Sequence, residues 1–233
     1  MDAVTTTTAR PSSAVAVSRV CHGLIAAVVV VSLVIQIALL VTGGTDANSG
    51  DSGESLSLGV RLWRLFSYFT IESNLLVLAT AFVLALRPAA DGRIWRVVRL
   101  DALLGILITG VVYDIVLAPM VHLTGAALAA TVGFHYISPW AMILAWLVFG
   151  PRRRITWGTV AGAFAWPVVW LAYIFTQGAF TDWYPYPFLD VVDLGFGRAL
   201  FNALVVVVIA IVFAVLFKLV DNRVPALLRD DDR

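Results

Sequence analysis

Six apolar runs, each close to the thickness of a bilayer's hydrocarbon core, leave few folds open to this chain. A helix crosses that core in about 20 residues. The runs fall at about 20–42, 64–86, 100–120, 127–149, 156–177 and 198–219. They predict an all-α, polytopic integral membrane protein: a single bundle of six transmembrane helices. Hydrophobic residues make up 61% of the chain and charged residues 13%, a balance that excludes a soluble globular domain. The first run, Leu24 to Val41, follows Arg10 and Arg19 as a signal peptide would. It is longer than the roughly 7–15 residues of a signal h-region, and Thr42-Gly43-Gly44-Thr45-Asp46 offers no small-x-small cleavage pattern, so it reads as a retained helix.

Charge sets the orientation. The N-terminus, the loops after the second and fourth runs, and the tail hold Arg10, Arg19, Arg87, Arg93, Arg96, Arg99, Arg152, Arg153, Arg154, Lys218, Arg223, Arg229 and Arg233. The opposite side has only Arg61, Arg64 and Arg198. The positive-inside rule puts both termini in the cytoplasm of a multi-pass protein of the cell membrane. Residues 1–18, rich in Thr, Ser and Ala, read as a disordered cytoplasmic N-terminus, 19–220 as the membrane domain and 221–233 as a cytoplasmic tail. The basic residues are spread between spans rather than patched, so no nucleic-acid partner is expected. Cys21 stands alone and no Cys/His cluster has zinc spacing, so neither metal nor cofactor is expected. No internal repeat supports a transporter built of two halves. Gly105 with Thr109, and Gly158 with Gly162, are small pairs at helix-packing spacing.

The second run opens with polar groups, Ser67, Thr70, Glu72, Ser73 and Asn74. On one continuous helix, Ser67, Thr70, Ser73 and Asn74 share a face. Glu72 faces away, to pair with Arg61 or Arg64 or to snorkel outwards. At 1.5 Å per residue, Thr70 lies ~9 Å below the outer end of its helix, Asp114 ~9 Å and His135 ~12 Å. Asn202 enters the sixth run from the same side. Thr70, Asn74, Asp114, His135 and Asn202 thus converge on the outer half of the bundle. Each has a plainer reading: Thr bonding the carbonyl one turn back, Asn and His joining helices. Their coincidence makes them a candidate site, because ionisable groups inside a membrane are usually functional. His22 and His122 read as interfacial and outside it.

Pro139 follows His135 by four residues, so the His135 carbonyl loses its helical donor and the helix kinks there. An imidazole away from water stays neutral and keeps one nitrogen able to accept a proton. Thr70 as nucleophile, His135 as general base and Asp114 as orienter satisfy the logic of an activated hydroxyl, with Asn74 facing an oxyanion. The third informative stretch is the loop Trp183-Tyr184-Pro185-Tyr186-Pro187-Phe188-Leu189-Asp190. It is a rigid aromatic segment, either an interfacial belt or a lid over the pocket, with Tyr184 and Tyr186 as candidate substrate contacts.

At these three stretches the chain resembles the androgen-induced protein family, six-helix transmembrane threonine hydrolases acting on fatty acid esters of hydroxy fatty acids; here it is similar to a bacterial relative. Tyr68-Phe69-Thr70-Ile71 resembles the family's nucleophile segment, Gly133-Phe134-His135 with Pro139 its histidine segment, and residues 183–190 its Trp-x-Tyr-Pro-Phe-Leu-acid loop. Glu72-Ser73 interrupts what is more often an apolar segment, and the loop is a residue or two longer. The resemblance implies a lipid-ester hydrolase with Thr70 and His135 catalytic and a fatty-acyl ester of the membrane as substrate. Residue chemistry alone leaves two rivals: a non-catalytic protein that binds or transports a lipid or small amphiphile in the same pocket, and a structural partner whose polar groups only join helices. The charge bias itself predicts that GFP fused to the C-terminus fluoresces while alkaline phosphatase fused there is inactive; an active phosphatase fusion would reverse the orientation.

Overall fold

The computed structural model describes residues 13–51 and 55–228. Among these, every regular element is helical, and six helical units are long and apolar enough to cross a membrane: Ser13–Thr42, Phe69–Leu86, Arg93–Met120, Gly125–Phe149, Trp157–Thr181 and Phe196–Arg223. The first unit, α1 (Ser13–Thr42), starts earlier than the sequence predicts, so residues 13–18 are helical rather than disordered. The rest of the expected disordered segment, 1–12, and tail residues 229–233 lie outside the described residues.

The second unit departs furthest from expectation. The run at 64–86 is not one helix: α2 (Leu58–Ser67) ends at Tyr68, whose backbone is extended, and α3 (Phe69–Leu86) begins immediately after. Thr70 is therefore the second residue of α3, and the carbonyl a threonine would normally take, four residues back at Phe66, belongs to another helix. That frees its hydroxyl for other partners.

Three further irregularities trace to prolines. A proline has no N–H to give the carbonyl four residues earlier, and Pro119, Pro139 and Pro167 stand four residues after Ile115, His135 and Ala163. The third unit runs as α4 (Arg93–Val112) and then widens at Tyr113–Leu117, where the Ala118 N–H reaches back five residues to the Tyr113 carbonyl. The fourth runs as α5 (Gly125–Val132), widens at Gly133–Ile137 in the same way, and continues as α6 (Ser138–Phe149). Wide turns of this kind concentrate at functional sites. The fifth breaks at Phe164 into α7 (Trp157–Ala163) and α8 (Ala165–Thr181). After a short α9 (Val191–Leu194), α10 (Phe196–Arg223) closes the bundle.

Small residues let the helices close on one another, as packing in lipid favours, around a core that includes Phe134, Ile71, Leu103 and Ile106. α1 packs on α3, α5 and α6, and α4 on α3, α6 and α7. A Cβ at Gly110 would lie 3.1 Å from the Pro139 ring and 3.4 Å from the His135 carbonyl oxygen, so glycine lets α4 close on the kink. Gly162 meets Val97 in the same manner, and Gly105 meets Ser73 and Trp166. At Gly133 a Cβ would collide with the Ser32 side chain of α1. α10 is the least embedded unit and leaves Val205, Val208, Val212 and Leu216 exposed, a face for lipid.

Most of the described basic residues gather at one end, with Arg61, Arg64 and Arg198 at the other. Arg19 donates to the Leu86 carbonyl (3.5 Å), Arg99 to the Gly150 carbonyl, and Arg152 to those of Trp146 (2.9 Å) and Leu147 (2.6 Å). Asp221 accepts the N–H groups of Arg154 (2.7 Å) and Ile155 (2.8 Å).

The contact at Gly133 generates a stability prediction. Gly133→Leu overpacks the α1 crossing and should cost about 1–3 kcal/mol, read as a lower thermal midpoint of the detergent-purified protein. Ser32→Gly in the same chain should restore part of it, and an unchanged midpoint in Gly133→Leu would contradict the packing.

Candidate functional site

The break at Tyr68 and the wide turn at Gly133–Ile137 bring two side chains from different spans together. Thr70 Oγ1 lies 3.3 Å from His135 Nε2, and both residues are almost wholly buried. The polarity of this contact can be worked out from its surroundings. His135 Nδ1 lies 3.2 Å from the Thr131 carbonyl oxygen, which can only accept, so Nδ1 carries the proton. In the neutral ring Nε2 is then an acceptor, and the Thr70 hydroxyl donates to it. The Tyr113 ring, stacked on the imidazole at 3.8 Å between centroids, holds its plane.

Tyr186 completes the group. Its hydroxyl oxygen accepts the Thr70 backbone N–H (3.1 Å) and lies 3.3 Å from Thr70 Oγ1. Because Thr70 gives its own proton to His135, the Tyr186 O–H donates to Thr70 Oγ1. The first N–H groups of a helix have no intrahelical partners, so the phenol also satisfies the buried start of α3. Burial pushes the Tyr186 phenol up to about 12, partly offset by its hydrogen bonds to Thr70.

Aromatic packing fixes the loop that carries Tyr186. Its ring stacks on Phe188 at 5.3 Å and meets Tyr68 edge-on at 5.8 Å. The Asn202 amide donates to the Phe188 carbonyl (2.9 Å), so Asn202 anchors the loop rather than facing the hydroxyl. Asp190 accepts the Val192 and Asp193 N–H groups and caps α9. Tyr184 is buried but turned away: its ring fills the space beside Gly178 and meets Phe175.

Several sequence expectations are corrected here. Asp114 is exposed and accepts a bond from the Tyr136 hydroxyl (3.2 Å); the Thr131 carbonyl orients His135 instead, because the wide turn aims Nδ1 along its own helix. Asn74 uses its amide nitrogen on the Thr70 (2.8 Å) and Phe134 (3.3 Å) carbonyls, so it clamps α3 to the histidine turn and has no N–H left for an oxyanion. Ser67 leaves the polar stripe because the helix breaks after it; it bonds the Trp63 carbonyl and Tyr173 hydroxyl, each at 2.9 Å. Glu72 pairs with neither Arg61 nor Arg64 but accepts the Trp166 indole N–H at 2.7 Å. His22 is buried, and its Nδ1 lies 2.8 Å from the Ser18 carbonyl. Tyr113, Thr131 and Trp166 were not anticipated. Of these only Tyr113 left a signal, at the end of the i+4 series Asp101, Gly105, Thr109, Tyr113 along α4.

A cavity with about 90 Å³ open to the centre of a water-sized sphere borders the group, and His135 is not part of its wall. Thr70, Phe69 and Tyr186 form one end of its wall; Leu104, Ile108, Val206, Val207 and Leu171 make the apolar body, and Asp101 lines the other end. A ligand entering it meets the Thr70 hydroxyl with the imidazole behind. Among the described residues no cluster of His, Cys, Asp or Glu could hold a metal ion.

Comparison with family models, curated proteins and solved structures returned no match to this chain. The architecture defines a multi-pass helical membrane protein, and what it does must be argued from the cavity and its polar end.

The raised phenol yields a pH prediction. A tyrosine whose folded pKa exceeds its unfolded value of about 10 contributes stability that is complete below pH ~10 and is lost as pH rises towards about 12. The thermal midpoint of wild type should therefore fall across that alkaline window more steeply than that of Tyr186→Phe. Parallel profiles would show that the hydroxyl is not held as described.

Proposed function

We propose that the protein hydrolyses a lipid ester held in the cavity, through an acyl intermediate on Thr70. The observation that carries the reading is the oriented contact between a buried hydroxyl and a buried imidazole whose other nitrogen is tied to a carbonyl. Thr70 Oγ1 attacks the ester carbonyl carbon as its proton passes to His135 Nε2. The Tyr186 hydroxyl, released from Thr70 Oγ1, donates to the oxyanion beside the N-terminus of α3, whose partial positive charge favours it. On collapse the alcohol oxygen leaves with the proton from His135, and Thr70 keeps the acyl group. Water then attacks that ester, its proton passing to His135 and on to Thr70 Oγ1, and the fatty acid departs. The apolar wall suits an acyl chain, and by the charge bias the reacting end lies towards the external leaflet of the cell membrane.

A second reading, non-catalytic binding or transport of an amphiphile in the same cavity, is favoured by the Tyr186 hydroxyl standing on Thr70 Oγ1 in the resting arrangement. The two separate on hydrolysis of a p-nitrophenyl acyl ester by protein purified in detergent. On the catalytic reading Thr70→Ala abolishes turnover, Thr70→Ser retains part of it, and His135→Ala lowers kcat by about 10²–10⁴-fold, all three variants keeping the wild-type affinity for a fatty acid. Wild-type rates in Thr70→Ala would overturn the assignment of Thr70, and a wild type that binds fatty acid without turnover would leave only the binding reading.

A further inference from the structure

At the far end of the cavity, remote from Thr70, stands a carboxyl group that the reaction does not use. Asp101 is only 7% exposed, it lines the cavity, and its Oδ1 has no hydrogen-bond partner. Two other buried oxygens nearby, those of Ser73 and Thr109, also lack partners. A hydroxyl rotor on a helix can turn to the carbonyl one turn back; a carboxyl group, ionised or not, keeps an acceptor oxygen that needs a donor brought to it. The residue opposite deepens the contrast. Ala163 lines the same cavity, and Pro167 removes the donor its carbonyl would take in an unbroken helix. The inner end of the cavity thus presents a carboxyl oxygen to which no donor is brought.

The span between the two ends follows from α4. Tyr113, stacked on His135, and Asp101 lie twelve residues apart on one helix, or ~18 Å at 1.5 Å per residue. That is close to the extended length of a palmitoyl chain, and the wall between is apolar apart from Thr109. A long unfunctionalised chain would bury its methyl end against Asp101 and leave the carboxyl unpaired, a costly arrangement. A chain ending in a hydroxyl supplies the missing proton.

We propose that Asp101 is the distal anchor of the cavity, accepting a hydrogen bond from a hydroxyl at the ω end of a long acyl chain whose carbonyl lies at Thr70. The substrate class becomes esters whose long acyl chain carries a free hydroxyl at its ω end. The proposal rests on the hydrolase reading only in placing the carbonyl end at Thr70.

Displacement of cis-parinaric acid from the detergent-purified protein tests it without turnover. Wild type should bind ω-hydroxypalmitate about tenfold or more tightly than palmitate, whereas ω-hydroxylaurate, too short to reach, should gain nothing over laurate. In Asp101→Leu the advantage should vanish while palmitate binds at least as well as before; in Asp101→Asn, which keeps an accepting oxygen, part should remain. Equal affinities of the two long acids for wild type, an advantage that is the same at every chain length, or one that survives in Asp101→Leu would each overturn the assignment. Thr70→Ala should show the wild-type preference, so loss of the hydrolase reading leaves this result standing.

Discussion

A backbone group freed inside hydrocarbon must find a partner within the protein, because no water is present to take its place. This chain breaks or widens four of its six spans, and the candidate site is assembled where those interruptions are repaired. The buried start of α3 needs an acceptor for the Thr70 N–H, and the Tyr186 hydroxyl supplies it from the loop after the fifth span. The wide turn before Pro139 leaves the His135 carbonyl against Gly110 and swings the imidazole towards α3. Asn74 ties the two repairs together through the Thr70 and Phe134 carbonyls. Structural satisfaction and chemical arrangement are, in this region, the same set of bonds.

The hydrogen bonds run in one sense from end to end. The Tyr186 proton points to Thr70 Oγ1, the Thr70 proton to His135, the Nδ1 proton of His135 to the Thr131 carbonyl, and the Thr131 hydroxyl proton to the Ala47 carbonyl at 2.5 Å. Two features fix that direction: a backbone carbonyl that cannot donate and a backbone N–H that cannot accept. The outer loop is drawn into the order, since the Ala47 N–H donates to Gln36 of α1 (2.9 Å). The arrangement needs no carboxylate, and Asp114 points away from it.

The six spans and their sequence are legible in the residues because hydrophobic run length is a local property. The kink at His135 is also legible, through Pro139. The break at Tyr68 is not: no proline or glycine marks it, and the polar stripe drawn through Ser67, Thr70, Ser73 and Asn74 assumes a helix that does not continue. Contacts between spans are harder still. Trp166 reaching Glu72, or Thr131 rather than Asp114 orienting the imidazole, depends on helix rotation, and helix rotation depends on where small residues such as Gly105, Gly110 and Gly133 let neighbours close. Asp101 gains its interest only from a cavity that no single segment encodes.

The central claim is that the Thr70 hydroxyl is a nucleophile made reactive by the imidazole beside it. Peptide mapping by mass spectrometry, after membranes holding the protein are treated with a fluorophosphonate, tests this most directly. The account predicts an adduct on Thr70 itself, with none on the corresponding peptide of Thr70→Ala and little in His135→Ala. An adduct on another residue, or an unmodified Thr70 in protein that still cleaves esters, would contradict it.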